Sequence, residues 1–137
     1  MSVYLDANVF VFACLGSDDD PRTVKAKDLL LRVADGKETG FTSLLTIDEV
    51  VWVIVRQKKD RKLAVEQGFR ILQLPIKFVP LITAISLKSL RLMQKYSNLS
   101  PRDALHAASC LEVKADSLVS DDADFDSIAE VDGVRLA

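Results

Sequence analysis

Short apolar runs alternate along the chain with longer segments of helical periodicity. The short runs lie at residues 2–5, 40–43, 76–79 and 116–120, with a weaker run at 134–136. Apolar residues recur at helical spacing in residues 9–15, 21–34, 44–57, 63–74, 85–96 and 101–111. A regular alternation of strands and helices favours a parallel sheet with a helical layer on each side. We therefore predict an α/β fold with a central parallel sheet of four to five strands and helices on both faces.

Residues 44–57 carry conflicting signals. The β-branched run at residues 50–55 favours a strand. However, the segment continues for about fourteen residues without a turn signal, which is too long for a typical buried strand. Asp48 and Glu49 near its start suit the first turns of a helix. We predict a helix that is apolar nearly all round and is covered on more than one side, with Trp52 in a subunit interface.

The composition is that of an ordinary globular protein, with 49% hydrophobic and 28% charged residues in 137. We expect one domain over residues 1–137. The formal net charge of -2 argues against binding of nucleic acid through bulk positive charge.

No secretory signal or membrane-spanning run is present, which predicts a soluble, cytoplasmic protein with no membrane partner. Cys14 and Cys110 lie among apolar residues without metal-binding spacing, and we predict buried free thiols.

Acidic residues follow the predicted strands or begin the helices after them. They are Asp6, Glu49, Asp103, Asp122 and Asp124. Each one alone is explained by a turn or a helix cap. In a parallel sheet, however, strand C-termini and the N-termini of the next helices share one edge, so these carboxylates should converge. Clustered carboxylates repel one another unless a cation lies between them, and hard oxygen ligands suit Mg²⁺ or Mn²⁺.

Other acidic sites fit the sequence less well. Asp122, Asp124 and Asp126 imitate the start of a calcium-binding EF-hand loop. The glycine and the final glutamate of that loop would fall on Ser127 and Gly133, which excludes it. A haloacid-dehalogenase-type phosphatase needs an aspartate where the chain has Asn8, and a phosphoreceiver needs one at the end of the third strand, where Val79 meets Pro80.

Four segments together resemble the PIN-domain ribonucleases and, in size and layout, the VapC toxins of bacterial and archaeal toxin–antitoxin pairs. The segments are residues 5–9 (LDANV), 43–49 (SLLTIDE), 100–108 (SPRDALHAA) and 120–125 (SDDADF). Each motif alone is weak, but their order and spacing are specific, and the resemblance covers essentially the whole chain.

The resemblance implies a catalytic quartet with two kinds of supporting residue. The quartet is Asp6, Glu49, Asp103 and Asp122, of which Asp6, Asp103 and Asp122 would bind the metal. Asp124 would be an auxiliary acid, and Asn8 and Ser120 would form hydrogen bonds within the site. The doubled Asp121-Asp122 leaves two choices for the metal-facing acid, and the distance to residues 123–125 favours Asp122.

The predicted function is a Mg²⁺- or Mn²⁺-dependent endoribonuclease that acts as the toxin of a toxin–antitoxin pair. The resemblance implies an RNA substrate, an antitoxin partner and a homodimer. The alternatives are a PIN nuclease of RNA processing or decay and a PIN-fold binding module without catalysis. The basic run at residues 56–62 and the side chains of Lys88, Arg91 and Lys95 are candidate RNA contacts or solvated surface. His106 lies three residues from Asp103, at a spacing that allows contact with the site, but a packed or surface histidine is the favoured prediction.

Overall fold

The computed structural model describes residues 1–136 and contains a five-stranded parallel sheet flanked by six α-helices. The strands are β1 (Ser2–Leu5), β2 (Thr39–Ser43), β3 (Lys77–Val79), β4 (Ser117–Ser120) and β5 (Gly133–Arg135). The helices are α1 (Ala7–Leu15), α2 (Pro21–Ala34), α3 (Leu45–Lys58), α4 (Arg61–Leu72), α5 (Thr83–Lys95) and α6 (Pro101–Val113). A 3₁₀ helix over Ala123–Ser127, which the sequence pattern did not predict, follows β4. The predicted fold class is confirmed.

β1 lies at the centre of the sheet, in the strand order β3-β2-β1-β4-β5. Successive side chains of a strand point to opposite faces, so Val3 and Leu5 pack in one core and Tyr4 packs in the other. The first core contains residues of α1 to α4, and the second contains residues of α5 and α6. The central strand therefore ends at the middle of the carboxyl edge of the sheet, and Asp6 follows it directly as the N-cap of α1.

The ambiguous segment forms the helix α3, as predicted. α4 of the same chain packs against α3 and covers part of its apolar surface. A Cβ added at Gly68 would lie 3.2 Å from Cγ2 of Val51, so the two helices are in close contact there. Trp52 keeps 51% of its surface exposed, and the guanidinium of Arg56 lies 5.0 Å from its ring. A subunit interface at Trp52 stays a prediction.

Two helix starts agree with the sequence signals. Asp20 caps α2 by accepting a hydrogen bond from the backbone N–H of Arg22, and Ser100 caps α6 by accepting one from Asp103. The prediction of two buried thiols is half wrong, because Cys110 is buried but Cys14 is exposed. α1 has only three fully buried residues, and the thiol of Cys14 contacts Gln67 on the surface. Within residues 1–136, no helix has both the length and the apolar character needed to span a membrane.

Candidate active site

A cavity of about 420 Å³ opens at the carboxyl edge of the sheet. Its walls come from the start of α1, one side of α3, the start of α6 and the turn after β4. Its acidic lining consists of Asp6, Glu49, Asp103, Asp121 and Asp122. The structure thus brings all four members of the predicted quartet to one cavity.

Asp6 is held at the cavity by three hydrogen bonds. Its backbone N–H donates to the carbonyl oxygen of Val119 at 3.1 Å. Oδ1 accepts a hydrogen bond from the N–H of Ala7 at 2.8 Å, which makes Asp6 the N-cap of α1. Oδ2 accepts one from the hydroxyl of Ser120 at 2.6 Å. The side chain is therefore fixed between the central strand and its neighbour β4.

Ser120 connects three parts of the site. Besides donating to Asp6, its Oγ accepts a hydrogen bond from the backbone N–H of Asp122 at 2.9 Å and one from Nδ2 of Asn8 at 3.0 Å. Asn8 in turn accepts from the N–H of Asp121 through Oδ1, at 3.1 Å. Asn8 and Ser120 thus make hydrogen bonds within the site, and they set the path of the chain through Asp121 and Asp122.

Three carboxylates form the tightest acidic group that residues 1–136 contain. Asp103, Asp122 and Asp124 each offer an oxygen within 4.8 Å of the other two. Asp124 was expected to be an auxiliary acid, and the structure places it in this group, whereas Asp6 lies beside it. The backbone N–H of Asp124 donates to Oδ1 of Asp122 at 2.9 Å, which holds these two neighbours in a tight turn. Three hard oxygen donors in this arrangement suit a divalent cation.

Asp103 and Asp6 hold their protons more tightly than ordinary aspartates in the absence of a cation. Burial, followed by the charges of Asp122 and Asp6, raises the pKa of Asp103 to about 6. Burial also raises the pKa of Asp6, although His106 and the hydrogen bond from Ser120 partly oppose this effect. A bound cation would relieve the repulsion that raises the pKa of Asp103.

The doubled aspartate is divided between two roles. Asp122 belongs to the three-carboxylate group, whereas Oδ2 of Asp121 lies 3.2 Å from the guanidinium of Arg22. Arg22 also pairs with Asp20, and Arg135 lies 4.0 Å from Asp121. Asp122 is therefore the one of the two that joins the carboxylate group, and its assignment as the metal-facing acid stays a prediction.

Contact of His106 with the site was the less favoured of the sequence interpretations, and the structure shows it. The side chain of His106 is completely buried, as the prediction of a packed histidine requires. Its Nε2 also bonds to the carboxylate of Glu49 and lies 3.5 Å from Oδ1 of Asp6. Burial alone would lower the pKa of His106, but the hydrogen bond to Glu49 and the charges of Asp6 and Glu49 outweigh it and raise the pKa. The available signal was the three-residue spacing from Asp103, which puts both side chains on one helix face.

Comparison with known protein families identifies this arrangement. The sequence model of the PIN domain matches residues 3–131. The chain belongs to the PIN domain family. A search of curated protein sequences finds no match to this PIN domain.

Solved structures share the fold of this PIN domain at low sequence identity. VapBC2 from Rickettsia felis, bound to a DNA fragment from its promoter, superposes with a TM-score of 0.77, 16% identity and 98% coverage of each chain. Mycobacterium tuberculosis VapC20, described as a sarcin-ricin loop cleaving toxin, gives a TM-score of 0.74 at 19% identity, covering 93% of this chain and 95% of that one. FitAcB from Neisseria gonorrhoeae gives a TM-score of 0.70 at 17% identity, covering 98% of this chain and 97% of that one.

Proposed function

We propose that this PIN domain is a Mg²⁺- or Mn²⁺-dependent endoribonuclease and the toxin of a toxin–antitoxin pair. The observation that carries the proposal is the convergence of acids from four separate parts of the chain at the carboxyl edge of the sheet. Asp103, Asp122 and Asp124 form a group of hard ligands, and Asp6 and Glu49 lie beside it. Similar folds in VapBC2 and in a protein described as a sarcin-ricin loop cleaving toxin support this choice.

In the proposed site, Asp6, Asp103 and Asp122 hold the metal, and Asp124 adds a fourth oxygen donor. A bound Mg²⁺ or Mn²⁺ would activate a water molecule and offset the charge on the scissile phosphate. Glu49 faces the same cavity and would accept a proton from the attacking water. Ser120 and Asn8 keep Asp6 and the 121–122 backbone in position. Hydrolysis by water needs no covalent intermediate.

RNA would approach over the outer end of α3. Val53 and Gln57 line the cavity, so the exposed basic run at residues 56–62 begins at its border. Positive side chains there would contact phosphates and offset the acidic overall charge. Lys88 and Lys95 are each engaged with a glutamate, Glu112 and Glu130, which makes the α5 side a weaker candidate.

Cleavage assays with matched variants test the enzymatic proposal. We expect the purified protein to cleave RNA with Mn²⁺ or Mg²⁺ and not with EDTA. Asp103→Asn should abolish cleavage. Asp48→Asn should retain it, because Asp48 is also an acid in the first turn of a helix but is exposed and outside the cavity. Equal cleavage in EDTA, or by Asp103→Asn, would contradict the metal mechanism, and a protein that binds RNA without cleaving it would be a PIN-fold binding module.

Growth experiments separate the toxin from a PIN nuclease of RNA processing or decay. A structure of similar fold that is described as a toxin–antitoxin complex from Klebsiella pneumoniae supports an antitoxin partner. We expect induced expression to arrest growth, and co-expression of a small DNA-binding protein encoded next to the gene to restore it. Growth that is unaffected by active enzyme would favour the RNA-processing role. We also propose a homodimer in solution.

A further inference from the structure

His106 is the only histidine of the chain, and both of its ring nitrogens are engaged although the side chain is completely buried. Nδ1 lies 2.7 Å from the hydroxyl oxygen of Tyr4, and Nε2 bonds to Oε1 of Glu49. The first contact joins α6 to the central strand β1, and the second joins α6 to α3. One imidazole ring therefore links three elements behind the acidic cavity.

The direction of these hydrogen bonds follows from the donors around Tyr4. The backbone N–H of Ser43, at the end of β2, donates to the Tyr4 hydroxyl oxygen at 3.1 Å. The carboxylates of Glu49 and Asp6 both face Nε2 and keep the ring proton there, so Nδ1 accepts the hydroxyl proton of Tyr4 in the neutral ring. The remaining ring proton is on Nε2 and faces the Glu49 carboxylate. Nε2 carries a proton in the protonated ring as well, so the donor to Glu49 is present in either form.

Glu49 needs such a donor. Its flexible side chain reaches from α3 toward a cavity that already contains the carboxylates of Asp6 and Asp103, and only 17% of it is exposed. Repulsion from those charges would turn a free glutamate away. The hydrogen bond from Nε2 fixes Oε1. Within residues 1–136, no protein donor lies on the other oxygen, Oε2, which leaves it available to the cavity.

We infer that His106 is a positioning residue that holds the Glu49 carboxylate in the cavity, and that Tyr4 fixes the tautomer of His106 for this purpose. The inference rests on the proposed nuclease function for its consequence in catalysis. Its structural part, the Nε2–H tautomer and the contact with Glu49, is measurable in the metal-free protein.

Two substitutions of His106 by amide side chains distinguish the roles of its two ring nitrogens. The amide nitrogen of His106→Gln reaches the position of Nε2 and can still donate to Glu49. The shorter side chain of His106→Asn reaches only the position of Nδ1. We expect His106→Asn to lower kcat about a hundredfold, as misplacement of a reacting group does, with little change in KM. His106→Gln should keep a kcat at least tenfold above that of His106→Asn.

A double-mutant cycle tests whether His106 acts through Glu49. In a Glu49→Gln background, His106→Asn should cause no further loss of kcat. Thermal melts of each variant show whether it is folded, and Tyr4→Phe, which removes one hydroxyl group, provides a milder second test with a smaller loss of kcat. Equal activity of His106→Gln and His106→Asn, or additive losses in the cycle, would overturn the inference.

Nitrogen NMR of the imidazole gives a readout that does not depend on activity. With one histidine, the spectrum contains a single imidazole spin system. In metal-free protein at a pH where the ring is neutral, we expect the Nε2–H tautomer, and a shift toward a tautomer mixture in Tyr4→Phe. The Nδ1–H tautomer in the native protein would overturn the inference. If the native protein shows the Nε2–H tautomer but cleaves no RNA, the nuclease proposal fails while the contact with Glu49 stands.

Discussion

The hydroxyl of Ser120 donates a 2.6 Å hydrogen bond to Oδ2 of Asp6 across the junction of two neighbouring parallel strands. Oγ of Ser120 also accepts hydrogen bonds from the backbone N–H of Asp122 and from the side chain of Asn8. One serine therefore aligns the acid after β1 with the acid after β4. These two acids come from opposite ends of the sequence. The alignment of the two acids therefore depends on a neutral residue.

Removal of this hydroxyl should damage the site more than the fold. We expect Ser120→Ala to lose about 1–3 kcal/mol of unfolding free energy, since two donors lose their acceptor. Cleavage activity should fall about tenfold to a hundredfold, as it does when the partners of metal ligands are removed. Urea unfolding and cleavage rates measure both effects. Ser89→Ala is the matched control, because Ser89 is also buried but bonds only to Ser86 in its own helix, and it should retain full activity.

Neutralising Asp103 should spare or raise stability when metal is absent. Asp103→Asn removes one of the mutually repelling charges and loses a favourable helix-terminal charge worth about 0.3–1 kcal/mol. We expect its melting temperature in EDTA to equal or exceed that of the wild type. Asp48→Asn loses the same kind of helix-terminal charge without relief of repulsion, and should melt at the same temperature or lower.

Added Mn²⁺ should distinguish a ligand from a helix cap in the same melts. The wild type should gain about 2.7 kcal/mol at a free Mn²⁺ concentration of about a hundred times its Kd. Asp103→Asn should gain clearly less, and Asp48→Asn as much as the wild type. An Asp103→Asn variant that is destabilised in EDTA and responds fully to Mn²⁺ would show that Asp103 only caps α6.

The stability advantage of Asp103→Asn should depend on pH. Asp103 has a pKa of about 6 in the folded metal-free protein against an ordinary value of 3.8, so the folded state binds this proton more tightly. The Asp103 carboxyl group therefore contributes less to the free energy of unfolding as the pH rises from 3.8 to about 6. In EDTA we expect the melting temperature of Asp103→Asn, relative to that of the wild type, to increase as the pH rises from 4 to about 6. This relative increase should be absent at lower pH. A difference that is constant from pH 4 to pH 7 would contradict the raised pKa.

The exposed indole of Trp52 should contribute to self-association. Trp52→Ala should weaken the dimer, as measured by sedimentation, and leave metal-induced stabilisation unchanged. Leu31→Ser is the control, because Leu31 is a similarly exposed apolar residue, 63% exposed, on a different helix, α2. Val51 is a poor site for this test, since it packs against Gly68 of its own chain and a charge there would disturb α3 and α4. Unchanged dimerisation of Trp52→Ala would place the interface elsewhere.

The sequence alone was sufficient for the fold class and for the location of the acids. Alternating apolar runs and helical segments indicate a parallel sheet, because parallel neighbours require a crossover connection. The same requirement explains why residues 50–55 form a helix in spite of their strand propensity, since they lie in the crossover from β2 to β3. Asp6 and Asp103 stand directly at the end of a strand and the start of a helix, so local signals placed them at one edge.

Tertiary structure decided which of these residues meet. Asp121 and Asp122 are neighbours in sequence, but Asp121 pairs with Arg22 on α2 whereas Asp122 joins Asp103 in the carboxylate group. The contact of His106 with Glu49 joins residues 57 positions apart, and the exposure of Cys14 depends on what packs beside α1. Sequence periodicity reports which face of an element is buried, but it carries no information on which distant side chain is opposite. That is set by how the helices pack over the sheet.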